Sequence, residues 1–392
     1  MPRTVIFCAL LVGIAMWAPI FCVPPMEPFL KEQLLLTHTQ TSLLLSVPVL
    51  MLVATAIPAG VISDRIGIKK AIGIGLIAMA TGALLRGTAS DFSSLLGFTF
   101  IYGFGFGWTF PNLPKVVSTY VGKEKAGVAM GVVNSGFPIG MGLGLALTIP
   151  VVLPIAETYQ GVFLIWSIPP LIAAGFWWAM VKEPQASPIH IEESTTPVAD
   201  LRVALLNKHL WLIAGLMSLH QFFMWSWTGW APVMMVLKGA SPDLAGIIAS
   251  ITIWVILPTF LLMPRLSHRV GLRKPFLWIP SIALAIVSWA ARYATVSASW
   301  YLMAVAGVAA ATRFTTLLTL PVEMMHQRQV GMASGMVLSV GFVGGVIGPL
   351  VGGRILDTTQ TLDLSLMVLV GISVASALLA SRIPETGPGR RA

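Results

Sequence analysis

The stretch Gly60-Val-Ile-Ser-Asp-Arg-Ile-Gly-Ile-Lys-Lys70 is a short basic loop between two long apolar runs. An altered copy, Pro264-Arg-Leu-Ser-His-Arg-Val-Gly-Leu-Arg-Lys274, lies 204 positions further on. The offset sets Asp64 against His268, Gly67 against Gly271 and Lys70 against Lys274. It also aligns Gly103 with Gly307, Gly127-x-x-x-Gly131 with Gly331-x-x-x-Gly335, and Gly144 with Gly348. One plan has been built twice, and duplicated membrane bundles most often face each other across a shared site.

Working outward from the loops, the chain is 56% hydrophobic and only 10% charged, with a mean hydropathy of +0.86. A soluble domain cannot hide that much apolar surface, so lipid must solvate most of it. Crossing about 30 Å of hydrocarbon takes ~20 apolar residues. Twelve such runs are present, at roughly 5–29, 41–62, 71–88, 93–119, 127–154, 161–181, 210–237, 244–266, 275–295, 300–325, 330–356 and 364–381. The reading is an all-α membrane protein with twelve transmembrane helices in two pseudo-symmetric six-helix bundles. Residues 1–181 form the first bundle, 182–209 a cytoplasmic linker and 210–392 the second bundle. The linker carries Pro184, Pro188, Pro197 and mixed charges, with a short surface helix expected near Val198–Leu206. Cys8 and Cys22 share the first helix about 21 Å apart, too far for a disulfide between them.

The net charge of +9 does not indicate nucleic acid once the charges are placed. With the N-terminus inside, 17 of the 24 Lys and Arg fall on the cytoplasmic side: Arg3, Arg65, Lys69, Lys70, Lys123, Lys125, Lys182, Arg202, Lys208, Arg265, Arg269, Arg273, Lys274, Arg328, Arg382, Arg390 and Arg391. Lys31, Arg86, Lys238, Arg292 and Arg354 fall outside, and Lys115 and Arg313 fall within helices. This positive-inside pattern puts both termini in the cytoplasm of a multi-pass protein of the cell inner (plasma) membrane.

Six helices, a polar linker and six helices, with a Gly-x-x-x-Asp-Arg-x-Gly-x-Lys-Lys loop between helices two and three, resemble the major facilitator superfamily over essentially the whole chain. Leu44-Ser-Val-Pro-Val, Gly82-Ala-Leu-Leu-Arg86, Tyr102-Gly-Phe-Gly-Phe-Gly107 and Val128-Ala-Met-Gly131 are similar to the cyanate permease group, although the arginine this likeness implies in helix one is replaced near Ala18. The superfamily resemblance implies a conformational latch at Gly60, Asp64, Arg65, Gly67, Lys69 and Lys70, with Asp64 clamping the halves on the cytoplasmic side. Lys115, Lys123 and Arg65 are its candidate cations. The second copy contributes His268, Arg269 and Gly271, and is expected to be weaker, or inverted in sign when His268 is protonated. The alternative is a charged loop that only sets topology. Gly60 and Gly67 are expected to allow close packing and a tight turn.

Arg313 lies near the middle of helix ten, where an arginine costs ~2.5–3.5 kcal/mol to insert. No carboxylate occupies a comparable depth. Glu323 is ten residues on, about 15 Å along the axis, and Glu27 lies near the outer end of helix one. A buried cation without a counter-ion is poised for an anionic ligand; the competing reading is a structural strut. Asn112 and Lys115 share a face of helix four, with snorkelling the alternative for Lys115. Asn134 lies on helix five. On helix seven, His220 and Gln221 stand near mid-depth, with Met224 and Trp227 on the face of His220. His220 is a candidate for proton coupling or a neutral packing residue. Arg313, Asn112, Lys115, Asn134, His220, Gln221 and Trp227 are thus the expected solute contacts.

These residues point to a transporter of a small, anionic solute working by alternating access with protons as coupling ion. The expected partners are that solute, protons and the bilayer, with no nucleic acid and a monomeric chain. The alternative is drug or cation efflux by proton antiport. Against it, Gly344-x-x-x-Gly348-Pro349-x-x-Gly352-Gly353 is similar to an antiporter motif but sits in helix eleven instead of five, and Thr99 stands in helix four where likeness to the antiporters implies an arginine. No Asp pair, His-x-x-x-His or oriented Ser/His set is present, so no catalytic residue, metal or cofactor is expected.

Overall fold

The computed structural model describes residues 2–121, 123–183, 205–326 and 329–387. The linker's Pro184–Pro197 stretch and most of the Val198–Leu206 helix reading lie outside these residues, as do Arg202, Arg328, Arg390 and Arg391. The described chain is helical throughout, in twelve spans. The first, α1, runs Pro2–Phe21 and continues as Val23–Leu34. Then come α2 (His38–Ile66), α3 (Ile68–Arg86) and α4, which runs Phe92–Thr109, tightens through Phe110–Asn112 and continues Leu113–Tyr120. Next, α5 runs Lys123–Leu147, widens over Thr148–Val152 and ends with Leu153–Ala156; α6 is Tyr159–Met180. The remaining spans are α7 (Lys208–Leu237), α8 (Pro242–Val270), α9 (Pro275–Ala291), α10 (Val296–Met324), α11 (Val330–Thr359) and α12 (Asp363–Ser381). Among the described residues, nine helices are long and apolar enough by themselves to cross a bilayer. The other three spans are α4, which is interrupted; α7, rich in Trp, His and Gln; and α9, which is short.

Local chemistry explains the punctuation. Thr37 opens α2 with a capping box to Gln40, and Asp91 opens α4 with one to Ser94. The breaks in α1 and α4 fall at Pro24–Pro25 and Pro111–Pro114, where ring nitrogens cannot serve the carbonyls one turn back. Gly67 (φ 89°) and Gly271 (φ 74°) end α2 and α8 in a conformation that excludes most side chains.

The 204-residue offset survives in three dimensions. Starts pair as His38 with Pro242, Phe92 with Val296, and Tyr159 with Asp363; Ile66 and Val270 pair as ends. The helix contacts repeat too. A Cβ on Gly140 would stand 2.5 Å from the Ile14 carbonyl oxygen, and one on Gly144 2.7 Å from that of Ala18. Shifted by 204, Gly344 closes on the Ser218 carbonyl and Gly348 on that of Phe222. These glycines seat α5 on α1 and α11 on α7 at backbone contact.

Two compact units result. The first comprises Met1–Ser187 with Thr228–Ile253, and the second Pro188–Trp227 with Trp254–Ala392. In the first, the far part of α7 and the start of α8 pack on the N-terminal helices: Gly246 meets the Leu145 carbonyl, and Gly229 meets the Leu45 side chain. The first unit's core gathers Met26, Leu30, Leu44, Phe163 and Trp166. The second gathers Leu210, Met217, Leu317 and Val337.

Candidate solute site

Arg313 is completely buried in the second unit. It follows Ala309–Thr312, small side chains that let α7 and α9 approach α10 closely. Its Nε donates to His220 Nδ1 at 3.1 Å and its Nη1 to Ser281 Oγ at 3.2 Å. Its Nη2 is buried and has no hydrogen-bond partner. The guanidinium carbon lies 6.0 Å from the centre of the Phe223 ring, and Phe223 stacks on Trp227 at 5.7 Å. His220 stacks on Phe314, which stacks on Phe260. Because Arg313 donates to Nδ1, that nitrogen is bare, and the neutral ring carries its proton on Nε2. Four helices, α7 to α10, therefore build one aromatic and cationic cluster. Glu323 is no counter-ion for it: Arg273 holds that carboxylate at 2.6 Å.

Of the expected solute contacts, the structure brings Arg313 and His220 together, with Trp227 behind Phe223. Gln221 is buried beside His220 in the chain. In the first unit, Asn112 is fully buried; its Nδ2 donates to Trp108 O at 2.9 Å, and its Oδ1 has no partner. Asn134 is half-buried on α5. Lys115 joins the loop: its Nζ lies 2.7 Å from Asp64 Oδ1 and donates to Gly60 O and Ser63 Oγ. Of the candidate cations for Asp64, Lys115 pairs with it; the side chain of Lys123 lies outside the described ones. Gly60 itself faces open space, so its packing role is replaced by its carbonyl's role as acceptor.

The second loop has the reverse polarity. His268 and Arg269 are exposed, while Arg273 reaches Glu323 of α10 with Nε and Nη2 and Ser267 Oγ with Nη1. Glu385, beyond α12, accepts from the backbone N–H groups of Arg273 and Lys274. The ion pair of this loop is made by Arg273, five residues on from His268.

Sequence reasoning missed several residues. Arg86, assigned to the outside by charge counting, is buried at 1% exposure. It donates to Pro19 O at 2.8 Å and lies over Phe163 at 4.2 Å. The signal available was its place inside an apolar run ending at 88. Ser281, Phe223 and Phe314 gave none. Trp225 and Trp230 are also buried. Among the described residues, no group of three His, Cys, Asp or Glu is placed to hold a metal.

The fold agrees with what the chain resembles. It matches the family model of the Major Facilitator Superfamily over residues 5–349 and 238–391. It is 26% identical over 387 residues to the hexuronate transporter of Bacillus subtilis (strain 168), covering 91% of this chain and 88% of that one. It is 24% identical over 264 residues to the cyanate transport protein of Escherichia coli (strain K12), covering 67% of each. The crystal structure of the D-xylose-proton symporter superposes with a TM-score of 0.80 at 15% identity, over 98% of both chains. The chain belongs to the Major Facilitator Superfamily. It is a multi-pass membrane transporter of the secondary class and not an enzyme.

Proposed function

We propose that this protein carries a small organic or inorganic anion by alternating access, with Arg313 as the anion's counter-ion and protons as coupling ion. One observation carries the reading: a fully buried guanidinium whose Nη2 has no partner. Leaving such a donor unsatisfied costs about 1–3 kcal/mol, more when charged. A carboxylate or similar anion removes that cost. His220 and Ser281 hold the guanidinium in place, and Phe223 with Trp227 lends apolar surface. The names of the hexuronate and cyanate relatives describe anions, which supports the same class.

Coupling has a physical motive. Moving a monovalent anion into an inside-negative compartment costs ~2.3 kcal/mol per 100 mV, which one co-transported proton offsets. Asp64, held by Lys115, is the loop charge we assign to the latch, and the basic loops to the cytoplasmic side.

The test is uptake by proteoliposomes of galacturonate, cyanate and small monocarboxylates, alongside a thermal-shift screen of the same anions. Arg313→Gln is expected to abolish both uptake and the anion-induced shift. Unchanged uptake by that variant sinks the assignment.

A further inference from the structure

A second polar cluster lies at the opposite end of the first unit from the basic loops. Glu27 and Lys31 are one turn apart on α1 and so share a face. After Leu35 turns the chain through a left-handed conformation (φ 52°), the Thr37 cap starts α2 and brings His38 back between them. Glu27 Oε1 lies 2.6 Å from His38 Nδ1, and Lys31 Nζ lies 2.6 Å from His38 Nε2. Glu27 and His38 are buried at 4% and 8% exposure. The imidazole meets Trp230 edge-on at 5.9 Å.

Donor chemistry fixes the protonation pattern. A lysine ammonium only donates, so Nε2 must be bare and accept from it. Nδ1 then carries the ring proton and donates to Glu27. The three groups hold charges of minus one, zero and plus one. A proton arriving at Nε2 turns that acceptor into a donor and sets imidazolium against ammonium, so Lys31 has to leave. The charged or titratable groups on the surrounding elements are Glu32 on α1, Asp91 before α4, Glu157 and Tyr159 at the α5–α6 turn, and Lys238 and Asp243 at the α7–α8 turn. Asp91 is committed to capping α4 and Tyr159 donates to Ala89 O.

We propose that Glu27, His38 and Lys31 form a proton-binding site, in which one proton taken up on His38 Nε2 expels Lys31 and loosens the α1–α2 turn against Trp230. Its effect on transport rests on the proton-coupled reading above; the binding of the proton does not.

The test is hydrogen–deuterium exchange of the full chain in lipid nanodiscs at pH 5.5 and 7.5, corrected for intrinsic rates. Peptides covering 27–42 are expected to exchange several-fold faster at the lower pH, with those covering 60–70 as internal reference. His38→Gln is expected to remove the difference. Lys31→Gln, at a half-buried position, is expected to shrink it several-fold, because no cation remains to be expelled, and it serves as the test should His38→Gln fail to fold. A wild-type segment indifferent to pH, or a full response kept by either variant, overturns the proposal. A response abolished by the variants alongside pH-independent anion uptake keeps the site and removes the coupling instead.

Discussion

Asp64 with Lys115 and Arg273 with Glu323 are loop-to-helix ion pairs of opposite polarity. In the first loop the loop supplies the anion and α4 the cation; in the second the loop supplies the cation and α10 the anion. Their energetics differ through burial. The Asp64 side chain is 63% exposed and Lys115 37%, whereas Arg273 is only 10% exposed. Exposed pairs contribute about 0–1 kcal/mol, while truncating one partner of a well-buried pair costs about 3–5 kcal/mol. Unfolding in detergent should therefore show Glu323→Gln to be roughly 2 kcal/mol more destabilising than Asp64→Asn. Equal losses would mean that burial does not set the difference.

Arg313 and Arg86, at 0% and 1% exposure, show how far a residue's role can be read in advance. Arg313 stood out because it lies mid-run with no carboxylate at its depth. Arg86 did not, because a charge at the end of an apolar run looks the same whether it snorkels outward or turns in. Its inward course depends on Pro19, whose carbonyl lies 67 positions away in the chain, and no local pattern encodes that meeting. Arg273 with Glu323, and Glu27 with His38, were hidden for the same reason: each pair is made by a turn or a neighbouring helix.

At the scale of elements, the tail after α12 braces the α8–α9 turn. Burial pushes the Glu385 carboxyl up, but the backbone N–H groups of Lys274, Gly387 and Arg273 outweigh it and hold the group below its ordinary 4.5. A depressed carboxylate contributes stability above its unfolded value, and that contribution is lost as pH falls through the folded value. Stability should therefore drop below about pH 4.5, and Glu385→Gln should flatten that part of the profile in a pH series of thermal melts. Glycines in one helix also diverge. A Cβ at Gly335 meets nothing within 4 Å, while one at Gly344 meets the Ser218 carbonyl. Gly335→Ala should stabilise by up to about 1 kcal/mol through helix propensity, and Gly344→Ala should destabilise. Melting of the two variants side by side decides it.

For the whole molecule, the duplication was legible from the loops alone, and the 204-residue offset extends to helix starts and to single glycine–carbonyl contacts. What sets the halves apart resides in single side chains: Arg313, His220 and Ser281 correspond to Thr109, Met16 and Ile77. A periodic apolar pattern specifies helices and their packing faces, but the few polar atoms inside them need coordinates. Orientation is open to a direct check. Both native cysteines, Cys8 and Cys22, are buried, so a single cysteine at Lys69 or at Glu32 should react with a membrane-impermeant maleimide from opposite sides. In intact cells, labelling is expected at Glu32→Cys and not at Lys69→Cys.

The glycine seams also set a schedule for synthesis. The carbonyl-lined face of α1 around Ile14 is covered by Gly140 of α5, which leaves the ribosome about 126 residues later. At about 5–20 residues per second that wait is on the order of ten seconds. The same interval separates Ser218 from Gly344. Twice during translation, then, the first helix of a half stands in the bilayer with its docking face uncovered, and nascent chains stalled before residue 140 should crosslink through α1 to the insertion machinery, while those stalled well beyond it should not.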